Sequence, residues 1–188
     1  EAVLDARDDP EAVSRFAGRM RVEADRLGRL VQEIIDLSRL ETADPIASPT
    51  RVDVGRCIAE ALDRTKIAAE DKAIDLVCVS DPGLCVYGDE GLIVTAVRNL
   101  LSNAVQYSDP GTRVAVRATL EDGLVQVAVT DQGHGIPEAE LDRIFERFYR
   151  VDAARSRATG GTGLGLAIVK HISENHGGQV SVWSQEGR

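Results

Sequence analysis

Asn99 and Asn103 stand four residues apart in a stretch of helical periodicity, so they share one face beside an apolar stripe. Asn is a mediocre helix former, and a pair of them at this spacing needs a reason. An amide oxygen is a hard, neutral ligand suited to Mg²⁺, and an amide also binds phosphate or metal-bound water. Asp131-Gln132-Gly133-His134-Gly135-Ile136 follows directly on an apolar strand. Its glycines let the backbone pass close to a ligand, and a carboxylate at a strand end accepts from an amine such as that of adenine. Gly160-Gly161-Thr162-Gly163-Leu164-Gly165-Leu166 leads into a helix, where backbone N–H groups and the positive dipole end suit an anion. Its glycine spacing is neither a dinucleotide fingerprint nor a P-loop, and no Lys-Ser/Thr follows. Phe145-Glu146-Arg147-Phe148-Tyr149-Arg150 lies between them. Each piece alone has a plain alternative: a solvated amide pair, a tight turn, an aromatic loop anchor.

The elements that must position these residues follow from periodicity. Asp9-Pro10-Glu11 reads as a helix start, with Asp9 capping and Pro10 at the first helical position. Phe16, Met20, Leu27, Leu30, Ile34 and Leu37 recur at three and four, a narrow coiled-coil stripe reaching about Glu41. Such a seam needs a partner helix, or else the helix lies on its own domain. Thr42 to Thr50 holds Pro45 and Pro49 and reads as a linker. Beyond it, Val54 to Lys72 predicts a helix with Ile58, Ala61, Leu62 and Ile67 on one side. Leu76–Val79 and Cys85–Tyr87 predict short strands around the Asp81-Pro82-Gly83 turn. Asp89 caps a helix running to about Tyr107, with Ile93, Val97, Leu100 and Ala104 as its core stripe. Val114, Val116, Ala118 and Leu120 alternate, as do Val125, Val127 and Val129 after the Glu121-Asp122-Gly123 turn, which predicts a hairpin. Pro137 opens a short helix, and a last helix ends at His176-Gly177-Gly178, before a strand beginning at Val180–Trp183. The fold class is α+β: an α/β sandwich with helices on one face of a mixed, mostly antiparallel sheet, preceded by a long coiled-coil-like helix.

The 188 residues suffice for one ordinary domain plus a smaller appendage, and 43% hydrophobic with 28% charged residues is a globular composition. A net charge of -9 argues against nucleic acid as a partner. Cys57, Cys78 and Cys85 form no CxxC pair and predict free thiols in a reducing compartment. No apolar run approaches the ~20 residues that span a bilayer, and the acidic opening lacks the apolar core of a signal peptide. The expectation is a soluble chain of cytoplasmic type.

Taken in order, the Asn pair, D-x-G-x-G-I, F-x-R-F-Y-R, G-T-G-L-G-L and H-G-G resemble the N, G1, F and G2 boxes of sensor histidine kinases, whose ATP-binding domain is of the GHKL type. The resemblance covers about Arg51 to the C-terminus. The stalk ending Asp36-Leu37-Ser38-Arg39-Leu40-Glu41 is similar to the second helix of the dimerisation and phosphotransfer hairpin in PhoR-like members. It implies a partial hairpin over 1–42, a linker over 43–50 and a catalytic ATP-binding domain over 51–188. ATP and Mg²⁺ are the implied ligands, with Asn103 on the metal, Asn99 on the phosphates and Arg150 reaching the γ-phosphate. Asp131 would hold the adenine amine, with Gly133, Gly135 and Ile136 shaping the base pocket and Tyr107 lining the nucleotide. Gly161, Gly163 and Gly165, with Thr162, Leu164 and Leu166 among them, would hinge a lid between Tyr149 and Thr162 and contact phosphate. Gln106 stands where many members carry Lys, which implies one phosphate contact fewer.

By the same resemblance, gyrase, Hsp90 chaperones and mismatch-repair MutL proteins share this nucleotide fold. They place Glu four residues before the metal-binding Asn. Here that position is Asn99, and an amide is no general base, so slow hydrolysis and transfer to another acceptor are expected. Members transfer the γ-phosphoryl to a His followed by Glu or Asp. None of His134, His171 or His176 is so followed, so the implied acceptor lies on a helix upstream of Glu1 and this stretch does not label itself. The implied partners are a second copy through the stalk and the receiver domain of a response regulator, with no direct membrane contact by this part of an anchored sensor. The rival reading is a nucleotide-binding module without transfer activity. The family's usual final strand is expected to be cut short.

Overall fold

The computed structural model describes residues 9–41, 46, 48–151 and 161–187. Asp9 caps α1 (Pro10–Leu40) as its sequence predicts, Oδ1 accepting from the Ala12 N–H at 3.0 Å. The seam divides: Met20, Leu27 and Ile34 are exposed, whereas Leu37 and Leu40 are buried. Asp53 caps α2 (Val54–Asp71), which buries Val54, Cys57, Ile58, Ala61, Thr65 and Ala69. Ile67 is 73% exposed, against expectation. At about 100° per residue it falls opposite Ile58.

Asp89 caps α3 (Glu90–Tyr107) through the Leu92 N–H at 2.9 Å. The buried stripe is Val94, Val97, Leu101, Ala104 and Val105, so Ile93 and Leu100 are only partly covered. The stripe is broad because α3 is packed between α2 and α4 (Gly165–Asn175). Between β5 and α4 the described residues form a short 3-10 turn, Glu138–Glu140, after Pro137. α4 ends in the glycine cap anticipated above. Gly177 has φ +73, its N–H reaches Glu174 O at 3.0 Å, and the Gly178 N–H reaches Ser173 O at 2.9 Å.

The strands form two sheets among the described residues. β1 (Thr50–Asp53) pairs antiparallel with β3 (Cys85–Gly88). β2 (Asp75–Ser80) runs parallel to β4 (Arg113–Glu121), which pairs antiparallel with β5 (Leu124–Thr130). β2 and β3 flank their turn but never pair with each other. The β4–β5 loop is Asp122-Gly123, both at positive φ, the two-residue turn that matches strand twist. Val114, Val116 and Ala118 are buried, but Leu120 is 59% exposed because β2 stops opposite Ala118.

Val180–Trp183 is not a strand. A strand is held by a ladder and a buried face, and Val182 and Trp183 are exposed by 36% and 80%. One apolar core joins α2 and α3 to the inner faces of β4 and β5, and burial pushes the Cys57 thiol within it up to about 11. A second cluster, Leu37, Leu40, Leu164, Ile168 and Ile172, fastens the end of α1 to α4. No helix among the described residues is long and apolar enough to cross a membrane.

Candidate functional site

α3 presents Asn99 and Asn103 to the N-terminus of α4. A Cβ at Gly165 would lie 3.5 Å from Asn99 Oδ1 and 3.9 Å from Asn103 Nδ2, ordinary contact distances that place both amides directly beside the start of α4. Asn99 is 8% exposed, and its Nδ2 has no hydrogen-bond partner among the described residues. A buried donor left unpaired costs about 1–3 kcal/mol. That cost is recovered when an acceptor enters.

One turn further along, Gln106 and Tyr107 face the glycine loop. A Cβ at Gly161 would sit 3.1 Å from Gln106 Nε2, 3.7 Å from Arg150 Nη2 and 3.7 Å from the Tyr107 hydroxyl. Arg150 Nε and Nη2 are buried and unpaired among the described residues. Buried guanidinium nitrogens with no carboxylate beside them among the described residues suit an anion. Two sets of orphan donors therefore flank the segment Gly161–Gly165.

The third wall is the turn after β5. Asp131 Oδ1 accepts the Gly133 N–H at 2.8 Å, which leaves its second oxygen for another donor. Gly133 bridges to Ser108, and a Cβ there would be 2.8 Å from the Tyr107 carbonyl, so the turn is seated against the end of α3. Gly135, at φ +75, faces the chain near its C-terminus: a Cβ would meet Gln185 O at 2.2 Å. Ile136 N–H donates to Ser184 Oγ at 2.8 Å. Neighbouring contacts thus link the Asn pair, Gln106, Tyr107, Arg150, Asp131, Gly133, Gly161 and Gly165 along one side of α3, from the start of α4 to the turn after β5, and the Leu164 backbone lies among them. The Leu164 side chain is not part of this set, being fully buried in the α1–α4 cluster, so only its backbone is available there. Leu166 is half-buried on α4.

Residues 88–188 match the family described as histidine kinase-, DNA gyrase B- and HSP90-like ATPases. The chain belongs to this ATPase family. Within it the chain is the catalytic ATP-binding domain found in sensor histidine kinases. Sensor-like histidine kinase SenX3 of Mycolicibacterium smegmatis is 49% identical over 187 residues, covering 100% of this chain and 49% of that protein. The chain spans about half the length of the curated relatives it matches. The solved mycobacterial sensor histidine kinase MprB is 38% identical, with a TM-score of 0.61 over 69% of this chain and 81% of that one. Full-length ShkA, crystallised in complex with AMPPNP, is 29% identical, with a TM-score of 0.77 over 94% of this chain and 36% of that one.

In this ATPase domain the helical stalk touches the glycine-rich loop and the Phe145–Arg150 segment, which periodicity could not reveal. Thr162 Oγ1 donates to Glu33 of α1 and accepts the Leu164 N–H at 3.3 Å. Arg147 pairs with Glu41 and lies 3.5 Å from His171 Nε2, and Asn175 Nδ2 donates to Leu40 O at 3.0 Å. The ring of Tyr149 lies under the Arg143 guanidinium at 4.1 Å. Of the lid expected between Tyr149 and Thr162, residues 152–160 lie outside the described residues.

Burial raises the pKa of Glu33, against the lowering effects of the Thr162 hydrogen bond and of Arg29 and Arg98. A carboxyl raised on folding contributes stability below its ordinary range, and that contribution is lost as pH rises through the raised value. Glu33→Gln keeps the acceptor for Thr162 without the charge. It should raise the unfolding midpoint at pH 7 by about 1–2 °C. The advantage should vanish by about pH 3, well below the ordinary carboxylate range, where Glu33 is protonated folded or unfolded. Calorimetric scans at both pH values check this, and an equal gain at each would reject it.

Proposed function

We propose that this domain holds Mg-ATP in a recess formed by the Asn pair, Arg150 and the Asp131 turn, and transfers the γ-phosphoryl to a histidine on another helix, for relay to the aspartate of a response regulator. The observation that carries the reading is the set of buried donors without a partner among the described residues, Asn99 Nδ2 with Arg150 Nε and Nη2, on either side of the Gly161–Gly165 segment. Neutral substrates would leave that guanidinium unpaired. A triphosphate supplies its missing acceptors.

In this reading Asp131 accepts from the adenine amine with its second oxygen, while the first stays on Gly133. Gly133, Gly135 and Ile136 bound the base, and Tyr107 lines the nucleotide. Gln106, Gly161, Thr162, Gly163 and the backbone at Leu164, Gly165 and Leu166 border the phosphates near the α4 N-terminus, where the helix dipole favours anions. Asn103, with its neutral hard oxygen, would hold Mg²⁺, which would supply positive charge against the phosphates. Arg150 donates to the γ-phosphate as charge spreads over it, and Asn99 positions the chain of phosphates. No carboxylate stands at position 99 to take a proton from water, so hydrolysis is slow and an in-line neutral imidazole is the better nucleophile.

Residues 1–42 fit one part of a dimerisation hairpin, 43–50 a linker and 51–188 the catalytic unit of a PhoR-like sensor kinase. A second copy would pair through the exposed seam of α1. The domain would work on the cytoplasmic side of an anchored sensor. His176 is a poor acceptor because both ring nitrogens are engaged: Nε2 accepts the Asp89 N–H at 3.1 Å, and Nδ1 is 2.7 Å from Ile172 O.

Calorimetric titration with an ATP analogue, with and without Mg²⁺, followed by incubation with labelled ATP and a histidine-bearing helical hairpin, tests the proposal. Magnesium-dependent binding and label on the hairpin alone are expected. Label on this chain would overturn the assignment of the acceptor elsewhere. Binding without any transfer would favour a nucleotide-sensing module, a second reading that Gln106 supports by withholding a cation from the phosphates.

A further inference from the structure

We infer that Lys72 is a positioning residue for the nucleotide recess, although it belongs to none of its motifs. The inference rests on the ATP reading above. Lys72 is the C-cap of α2, and its side chain crosses to the far end of α3. There Nζ donates to Val105 O at 3.0 Å, Gln106 O at 2.7 Å and Ser108 O at 3.3 Å. An ammonium has three N–H donors, and here three carbonyls converge on one.

α3 needs this help because it ends without the usual devices. Its last turn carries no basic residue, its cap, Ser108, is extended at ψ 148, and the next residue, Asp109, is not at the positive φ that a glycine would take there. The last carbonyls of a helix have no partner within it and carry its negative dipole end. A cation from another helix satisfies both demands. The backbone of Lys72 is tied to the same region, since its carbonyl accepts the Gly111 N–H at 3.2 Å.

What is held there matters to the site. Gln106 and Tyr107, which border Gly161, occupy the turn that Lys72 grips. The next residue, Ser108, forms the bridge to Gly133, whose N–H orients Asp131. Lys72 therefore fixes the joint between the helix that faces the phosphates and the turn that faces the base. It touches neither end of the nucleotide. It sets the distance between their two receptors, and a small misplacement of binding groups is costly.

The test compares the intact chain with Lys72→Met, Lys72→Arg and a core control, Ile58→Val, reading ATP-analogue affinity by calorimetry and unfolding midpoints without nucleotide. Lys72→Met should weaken binding roughly 10-fold, whereas Ile58→Val should lower the midpoint and leave affinity unchanged. Lys72→Arg keeps the charge at the helix end but has a planar fork that does not converge on three carbonyls. It should hold the midpoint near that of the parent while losing about 3-fold in affinity. Should Lys72→Met fail to fold, the arginine variant decides. Unchanged affinity in the arginine variant, or affinity that tracks the midpoint across all variants including Ile58→Val, would overturn the inference. Absence of binding by the parent chain would instead sink the ATP reading itself.

Discussion

Asn103→Ala should weaken binding of an ATP analogue in the presence of Mg²⁺ by at least about 10- to 100-fold, since loss of even a supporting group at a metal site has that effect. The more telling result is a difference of differences. The parent chain should bind much more tightly with Mg²⁺ than without, and the variant should bind equally in both. Asn103 is half-buried, on a helix whose buried stripe lies elsewhere, so the fold should tolerate alanine there with a midpoint within a few degrees of the parent. A variant that bound weakly yet kept its full magnesium dependence would show that another group holds the metal. Arg150→Lys makes the matching comparison at the anion: one point charge in place of a fork should lose affinity for the triphosphate but not for the nucleoside.

How far the sequence carried this picture depends on the range of each signal. The aspartate caps at Asp9 and Asp89 were legible because a cap acts on an N–H three residues away. The β4–β5 hairpin was legible because Asp122-Gly123 and strict alternation are local. β1 was not, since four residues with a single buried side chain, Val52, have no period to detect. Pairing was equally hidden. β2 and β3 flank one turn, yet parallel β4 captures β2, a choice made by packing between distant segments.

The site shows the same division. Asn99, Asn103, Asp131 and the glycines were visible because they are short residues in tight motifs. Glu33, Lys72 and Arg147 were not, because long charged side chains look solvated until their partners, from 24 to 129 residues away, are placed. Leu164 misled for the opposite reason. It sits inside a glycine motif, and its side chain turns away into the cluster with Leu37 and Leu40.

Gly163→Ala should be among the most damaging single-methyl changes in the domain, because it strikes where two motifs meet. Gly163 has φ +78, a conformation that costs an L-residue about 1–2 kcal/mol. The added Cβ would also lie 2.8 Å and 2.9 Å from the Phe148 carbonyl carbon and Cα, and 3.0 Å from Tyr149 O. Those are backbone atoms, which no rotamer change moves aside. Phe148 itself is at φ +62, and its N–H donates to Gly163 O at 2.9 Å. The segment that carries Arg150 is therefore pinned to the glycine loop at this point. Relieving the clash separates them, which withdraws the guanidinium from Gly161 and loosens Leu164 from α4. The midpoint should fall by about 5–10 °C and nucleotide affinity by about 10-fold or more. Gly18→Ala and Gly28→Ala in α1 supply the contrast: nothing lies within 4 Å of either added methyl. Each should be neutral or raise stability by up to about 1 kcal/mol, as alanine does for glycine within a helix. If Gly163→Ala melts with the parent and binds ATP as tightly, the Phe148–Gly163 junction does not hold Arg150 in place, and the buried guanidinium must be fixed from the α3 side instead.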